Sequence, residues 1–262
     1  MKLTLFALRA EMQKGFWLLW SYRYNTLAEI VGMGAVFVGI SFMLGRGEFE
    51  PPDVLSSLLG YLVWFFAITA ISEMSFNLTE EARAGTMEQM FMSPIPMRII
   101  VLGRVAAVMI TAVAEVIVLG TGLMLAMNIW LPLRWEGIPV FLITMLGLLG
   151  FGFFLGGVTL IYKQVDSLAD LLQNILIFMT GALVPVSFFP GWLQTISLLI
   201  PSTQGIIVLR KVMLEGQSLF VVWNDGSLAL LILNSTIYLV GGWLFFVWCE
   251  RLAKQQGTLG QY

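Results

Sequence analysis

Ile138-Pro-Val-Phe-Leu-Ile-Thr-Met-Leu-Gly-Leu-Leu-Gly-Phe-Gly-Phe-Phe-Leu-Gly-Gly-Val-Thr-Leu-Ile-Tyr162 runs for 25 residues without a charged side chain. A helix needs roughly 20 mostly apolar residues to cross the hydrocarbon core of a bilayer, so this stretch reads as a membrane span. The same ruler, moved outward in both directions, finds five more: Asn25–Leu44, Val54–Asn77, Ile99–Met127, Ser167–Ser187 and Ser227–Glu250. Composition agrees. Over 262 residues, 58% are hydrophobic and 11% charged, with mean hydropathy +0.88, whereas a soluble domain carries about 25% charged residues. Too little polar surface remains to cover a water-facing globule, so lipid is the solvent for much of the chain.

What is missing narrows the chemistry. The chain has no histidine and one cysteine, Cys249, which removes an intrachain disulfide, a thiolate metal cluster, Ser-His-Asp catalysis and haem ligation by His. No Gly-x-x-x-x-Gly-Lys-Ser/Thr occurs, so this chain has no P-loop to cradle a nucleotide. A net charge of -2 argues against a nucleic-acid partner, which calls for a basic surface. No cofactor is expected on this chain.

Outside the six spans lie three shorter segments. Residues 1–24 carry Phe6, Phe16, Trp17 and Trp20 among scattered charges, the pattern of an amphipathic helix over residues 3–22 lying at the bilayer interface. The apolar stretch 188–215 is broken by Pro190, Gly191 and Pro201, and each half is too short to cross. Two short re-entrant or surface helices fit it, provided protein surrounds their backbone. Trp130, Trp135, Trp192 and Trp223 fall at the outer boundaries, as an aromatic belt requires. With the amino terminus inside, ten Lys and Arg residues lie on the inner side and four, Arg46, Arg134, Arg210 and Lys211, on the outer. That bias places both termini in the cytoplasm and the chain in the cell membrane. The whole chain, 1–262, reads as one all-α membrane domain.

The third segment, 79–96, connects spans two and three on the inner side. Gly85 interrupts the preceding helix, and Thr86 is an N-cap with Gln89 at capping-box spacing. Glu88 lies in the first turn, where the helix dipole favours an acid. Ser93-Pro-Ile-Pro96 ends the helix after about two turns. Met87, Met90 and Phe91 share one face. A helix of two turns is unstable alone and needs a groove, either on a partner protein or at the membrane surface.

Glu81-Ala-Arg-Ala-Gly-Thr-Met-Glu-Gln-Met-Phe-Met-Ser-Pro94 resembles the corresponding connection of ABC-2 type transporter permeases, often Gly-Thr-Leu-Glu-x-Leu-x-x-(Ser/Thr)-Pro. Phe188-Phe-Pro-Gly-Trp-Leu-Gln-Thr-Ile-Ser-Leu-Leu-Ile-Pro201 is similar to that family's Pro-bounded outer hairpin, with Phe189, Pro190, Trp192 and Pro201 in its pattern. The resemblance implies that Thr86, Met87, Glu88, Gln89, Met90 and Phe91 form a coupling helix with Gly85 as its hinge. That helix would dock on an ABC nucleotide-binding ATPase subunit, two of which would bind ATP and Mg. It also implies a second permease chain, identical or similar, and export of a hydrophobic or amphipathic compound.

Ionisable groups inside spans cost about 2.5–3.5 kcal/mol at the centre on insertion scales, so each wants a reason. Glu115 lies near the middle of span three, and Glu73 and Asn77 lie near the inner end of span two. They line the translocation path or a dimer seam, or they are partnered structural groups, with Arg83 and Arg104 in reach of Glu73. Glu29 has Arg23 nearby. An ABC-2 exporter of polysaccharide or glycolipid, an ion-gradient transporter and an intramembrane enzyme are the rival readings. The last is weakened by the lack of His. A gradient-driven transporter would pair broken spans at the midplane, while the only broken stretch here lies at the outer edge.

Overall fold

The computed structural model describes the backbone of residues 2–45, 51–83, 97–162 and 166–256, and side chains over 9–45, 52–72, 99–161 and 167–255. The described chain is all-helical. In order come α1 (Lys2–Ser21), α2 (Arg23–Leu44), α3 (Pro51–Arg83), α4 (Met97–Met127), α5 (Gly137–Tyr162) and α6 (Asp166–Met179). A 3-10 turn (Val186–Phe188) then leads to α7 (Gly191–Leu198), α8 (Pro201–Met213), α9 (Leu219–Asn224) and α10 (Ser227–Gln256). Among the described residues, α2, α3, α4, α5 and α10 are long and apolar enough to cross a bilayer. Their large exposed side chains, such as Val31, Ile117, Leu233, Ile237 and Leu244, make an apolar outer surface that water would not tolerate. The protein is an integral membrane protein, and helices form both over the amino-terminal segment and over the broken stretch before the last span.

The fifth span departs from its expected bounds. Helix α6 stops at Met179 rather than Ser187, because Gly181 adopts φ +72°, the left-handed conformation that ends helices and that glycine tolerates best. Its 14 residues reach about 21 Å at 1.5 Å per residue, short of the roughly 30 Å hydrocarbon core. Irregular backbone follows, and such backbone survives inside a membrane protein only if protein satisfies its polar groups. Arg210 does so from α8. Its Nη2 donates to Gly181 O at 2.9 Å and Ala182 O at 3.3 Å, and to Ser56 O on α3 at 3.0 Å, while Nε reaches Ser56 O at 3.2 Å. Ser57 Oγ donates to the next free carbonyl, Leu183 O, at 3.1 Å. A Cβ at Gly60 would collide with the carbonyl of Ala182, so α3 approaches the broken segment at backbone distance.

Helix α8 is the wedge of the molecule. It turns by 92° from α7 and buries Pro201 to Ile206, Val208, Leu209 and Val212 against α3, α5 and α10. Glycine on α5 makes room for it and for α10. A Cβ on Gly147 would stand 2.8 Å from Pro201 Cβ and 2.7 Å from Ser235 Oγ, and one on Gly150 would strike the Tyr238 carbonyl. A Cβ on Gly242 of α10 would in turn strike the carbonyl of Gly150. Lipid tails are as apolar as leucine, so close packing takes over the role that water expulsion plays in soluble cores. Gly147 and Gly150 of α5 thus serve close packing within the chain. Phe151 stacks on Tyr238 (centroids 4.8 Å) and Phe154 on Phe245 (4.6 Å) along the same seam.

A polar clasp closes the α8–α10 end. Lys211 Nζ donates to Asp225 Oδ2 and to Ser227 Oγ, both at 2.7 Å, and Asp225 Oδ1 accepts from Ser227 N at 2.8 Å. These bonds, led by that from Lys211, hold the Asp225 carboxyl down to about 2.

Three outcomes follow from this packing. Arg210→Ala orphans buried carbonyls at roughly 1–3 kcal/mol per unsatisfied group, so thermal unfolding in detergent should show a loss of about 2 kcal/mol or more. Gly150→Ala should cost about 1–3 kcal/mol by overpacking, while Gly122→Ala, whose Cβ meets nothing within 4 Å, should be neutral in the same assay. Because Asp225 is depressed when folded, its contribution is present above the ordinary carboxylate range and lost as pH falls through about 2. The melting difference between the parent and Asp225→Asn should therefore persist at pH 4 and fade toward pH 2.

Candidate functional site

Three helices each turn one polar stripe toward a common crevice of about 350 Å³. On α4 the stripe is Arg104, Ala107, Val108, Thr111 and Glu115, at helical spacings of three and four that keep it on one face. On α2 it is Tyr22, Asn25, Thr26 and Glu29, beginning at the residue before the helix, and on α1 it is Glu11, Lys14, Gly15 and Leu18. Thr69 and Ser72 of α3 complete the wall. From Arg104 to Glu115 the crevice runs about 16 Å along α4, at 1.5 Å per residue.

The local packing explains why these stripes meet. Gly15 lets α1 lie directly on α4, since a Cβ there would come 2.9 Å from Ala107 Cβ. That contact turns Phe16, Trp17 and Trp20 away from the protein, where they are well exposed, as an interfacial helix requires. Arg104 is buried to 5% exposure and reaches Glu11 Oε2 at 3.7 Å. The expected partner of Arg104, Glu73, thus has a competitor on α1 that spacing along the chain could not reveal. Thr111 Oγ1 donates to Val108 O at 2.9 Å, satisfying a hydroxyl inside the helix.

Glu115 is half-buried and lines the crevice, joining the polar walls of α1 and α2. Glu29 does not pair with Arg23. Arg23 stacks on the rings of Trp20 (5.3 Å) and Tyr24 (4.7 Å) and donates to Trp20 O at 2.9 Å. Glu29, one helical face away, is exposed at the crevice rim. The side chains of Glu73 and Asn77 fall outside the described residues, although both positions lie within helix α3. The stripe at Tyr22, Asn25, Thr26 and Glu29 does not stand out as a unit in the sequence. Its spacing of three, four and seven is the signal that could have found it.

The expected outer residues separate in space. Pro190 caps α7 and Trp192 is exposed at 68%, whereas Pro201 starts α8 and is buried against α5. Phe189 joins the 3-10 turn to α7 and is half-buried. Leu198 O, at the bend between α7 and α8, accepts from Gln204 Nε2 at 3.1 Å and Asn234 Nδ2 at 3.2 Å. The inner segment Gly85, Thr86, Met87, Glu88, Gln89, Met90 and Phe91 lies outside the described residues. Helix α3 continues past the expected span end at Asn77 to Arg83, directing the chain toward that segment. Among the described residues no three acidic or sulfur side chains converge as a metal site.

Comparison with known proteins agrees with this architecture. The family model described as ABC-2 type transporter matches residues 5–214. The probable multidrug ABC transporter permease YbhR of Escherichia coli (strain K12) is 26% identical over 168 residues, covering 60% of this chain and 44% of that protein. The chain thus spans less than half the length of that relative. The probable doxorubicin resistance ABC transporter permease protein DrrC of Mycobacterium tuberculosis (strain ATCC 25618 / H37Rv) is 25% identical over 221 residues, 79% of each chain. With a family match across most of its length and the helical membrane architecture that goes with it, the chain belongs to the ABC-2 type transporter family.

Proposed function

We propose that this chain is the membrane-spanning subunit of an ATP-driven exporter of hydrophobic or amphipathic, drug-like compounds. The observation that carries the reading is its similarity to two permeases whose names specify multidrug transport and doxorubicin resistance. ATP and Mg would sit on two separate ABC nucleotide-binding subunits. A second permease chain, identical or similar, would complete the pathway, with both termini cytoplasmic. The outward face of α6 supports such a partner. Leu168, Leu171, Ile175 and Phe178 are exposed there together with Asp170 and Asn174, and polar groups on a span want protein or water rather than lipid beside them.

In this reading residues 79–96 form the coupling loop, and Thr86 to Phe91 contact the ATPase with Gly85 as hinge. ATP binding draws the two ATPase subunits together, and the docked helices push α3 and α4. Glu73, Asn77 and Glu115 then lie along the path or seam that changes access. Residues 188–215 close the outer end. Phe91 and Met87 are the anchors, because a short docked helix concentrates its binding energy in a few buried apolar side chains.

Copurification in mild detergent should bring down a P-loop ATPase in equal stoichiometry with the permease. Phe91→Asp should leave membrane insertion intact, remove most of the ATPase from the purified complex and reduce ATP-dependent drug uptake into inside-out vesicles to background. Full transport by that variant, or a chain purified without ATPase that moves drug on an ion gradient, would overturn the reading.

A further inference from the structure

The crevice between α1, α2 and α4 carries more negative than positive charge. Among its described lining residues, Glu11, Glu29 and Glu115 face Lys14 and Arg104, one carboxylate in excess. The Glu11–Arg104 ion pair at 3.7 Å accounts for one of each sign. Glu29 is the carboxylate left facing the opening, with no ion pair or side-chain hydrogen bond among the described residues. It sits six residues into a helix of membrane-spanning length, about 9 Å along its axis. Its carboxylate is exposed at the rim, where it can meet a cation entering the crevice, and the attraction between the two grows as the cation leaves bulk water for the protein.

Shape and lining select the kind of cation. The described lining acids do not cluster as a metal site needs, so the excess charge suits a diffuse organic cation better than a compact inorganic one. A volume of about 350 Å³ falls at the lower end of small-molecule pockets. Leu18, Leu19 and Val108 offer apolar wall beside the charge, and Leu18, Tyr22, Asn25 and Glu29 are exposed at the mouth. The mouth therefore sets a leucine side chain and a tyrosine ring beside a carboxylate that can meet a ligand's charged end. Tyr22 adds a ring face at the same rim, the group that cations favour among neutral side chains.

From this geometry we propose that the crevice is a binding site for the charged end of amphipathic organic cations, with Glu29 as the group that selects their charge. The inference rests on the drug-export reading and sharpens it by naming the substrate class and a place of entry on the α1–α2 side. It needs no nucleotide and no docked ATPase, which separates its test from that of the coupling segment.

The test is equilibrium binding of radiolabelled tetraphenylphosphonium to the permease complex in phosphatidylcholine nanodiscs without ATP, with uncharged triphenylphosphine oxide as comparator. Glu29→Gln should weaken binding of the cation by about tenfold, equivalent to about 1.4 kcal/mol, and leave the neutral comparator unchanged. Glu29→Asp should stay within about threefold of the parent, and Glu29→Lys should abolish cation binding. Glu29 is exposed, so these variants should fold, and unchanged gel-filtration profiles check that they do. Replacing part of the phosphatidylcholine with phosphatidylethanolamine distinguishes the source of the cation: competition that disappears in Glu29→Gln supports the same site with a lipid amine as its occupant. Parent-like cation binding by Glu29→Gln, or equal losses for the charged and uncharged probes, would overturn the proposal. If those losses came with intact ATP-dependent transport, the crevice assignment alone would fail. A charge-selective crevice in a chain that never couples to ATP would instead sink the export reading and leave the site standing.

Discussion

Arg210 holds together the part of the molecule that a bilayer punishes most. Where α6 ends at Gly181, carbonyls that would otherwise be bonded within a helix face the protein interior. A single guanidinium collects two of them together with Ser56 O of α3. Arginine suits the task because its planar fork offers several donors at fixed angles, and it carries its charge without easy loss. The same contacts join three separated segments: the end of α6, the start of α3 and the last turn of α8. The bend between α7 and α8, the burial of α8 and the close approach of Gly60 to Ala182 all depend on that junction.

Around it, cohesion comes from proximity more than from exclusion of water. Helices α5 and α10 touch at Gly150, Gly242 and Gly147, where the missing side chains let backbone meet backbone. Aromatic pairs then fill the flanks of the seam. The outer face of α10 is left to Leu230, Leu233, Ile237, Val240, Leu244 and Trp248, all exposed at helical spacing, as lipid contact requires. One helix thus separates two environments by rotation alone.

The polar content of the membrane region is concentrated rather than scattered. Arg104, Glu11, Lys14, Glu29 and Glu115 share one crevice, while the opposite faces of α2 and α4 carry exposed apolar residues such as Leu27, Val31, Ile110 and Ile117. Concentration lowers the cost of each charge, since neighbours of opposite sign and a water-accessible opening replace bulk solvent.

Much of the architecture was legible in the sequence, for a plain reason. Spans announce themselves by local composition, and α2, α4, α5 and α10 begin within two residues of where the apolar runs begin. The hairpin was legible from Pro190 and Pro201, because proline acts on its own backbone. The early stop of α6 was not, since Gly181 reads as one more apolar residue in a run until its φ of +72° is seen. Arg210 read as an outer-loop cation, because its value lies in three carbonyls far away in sequence. Glu29 read as a partner for Arg23, and only the rotation of α2 against α1 and α4 turned it into the crevice. What a residue does to its own stretch of chain was therefore determined by sequence: length, apolarity, breaks and turns. Which way each helix faced, and so which polar groups met, was decided by tertiary packing, because those contacts join residues that no local pattern connects.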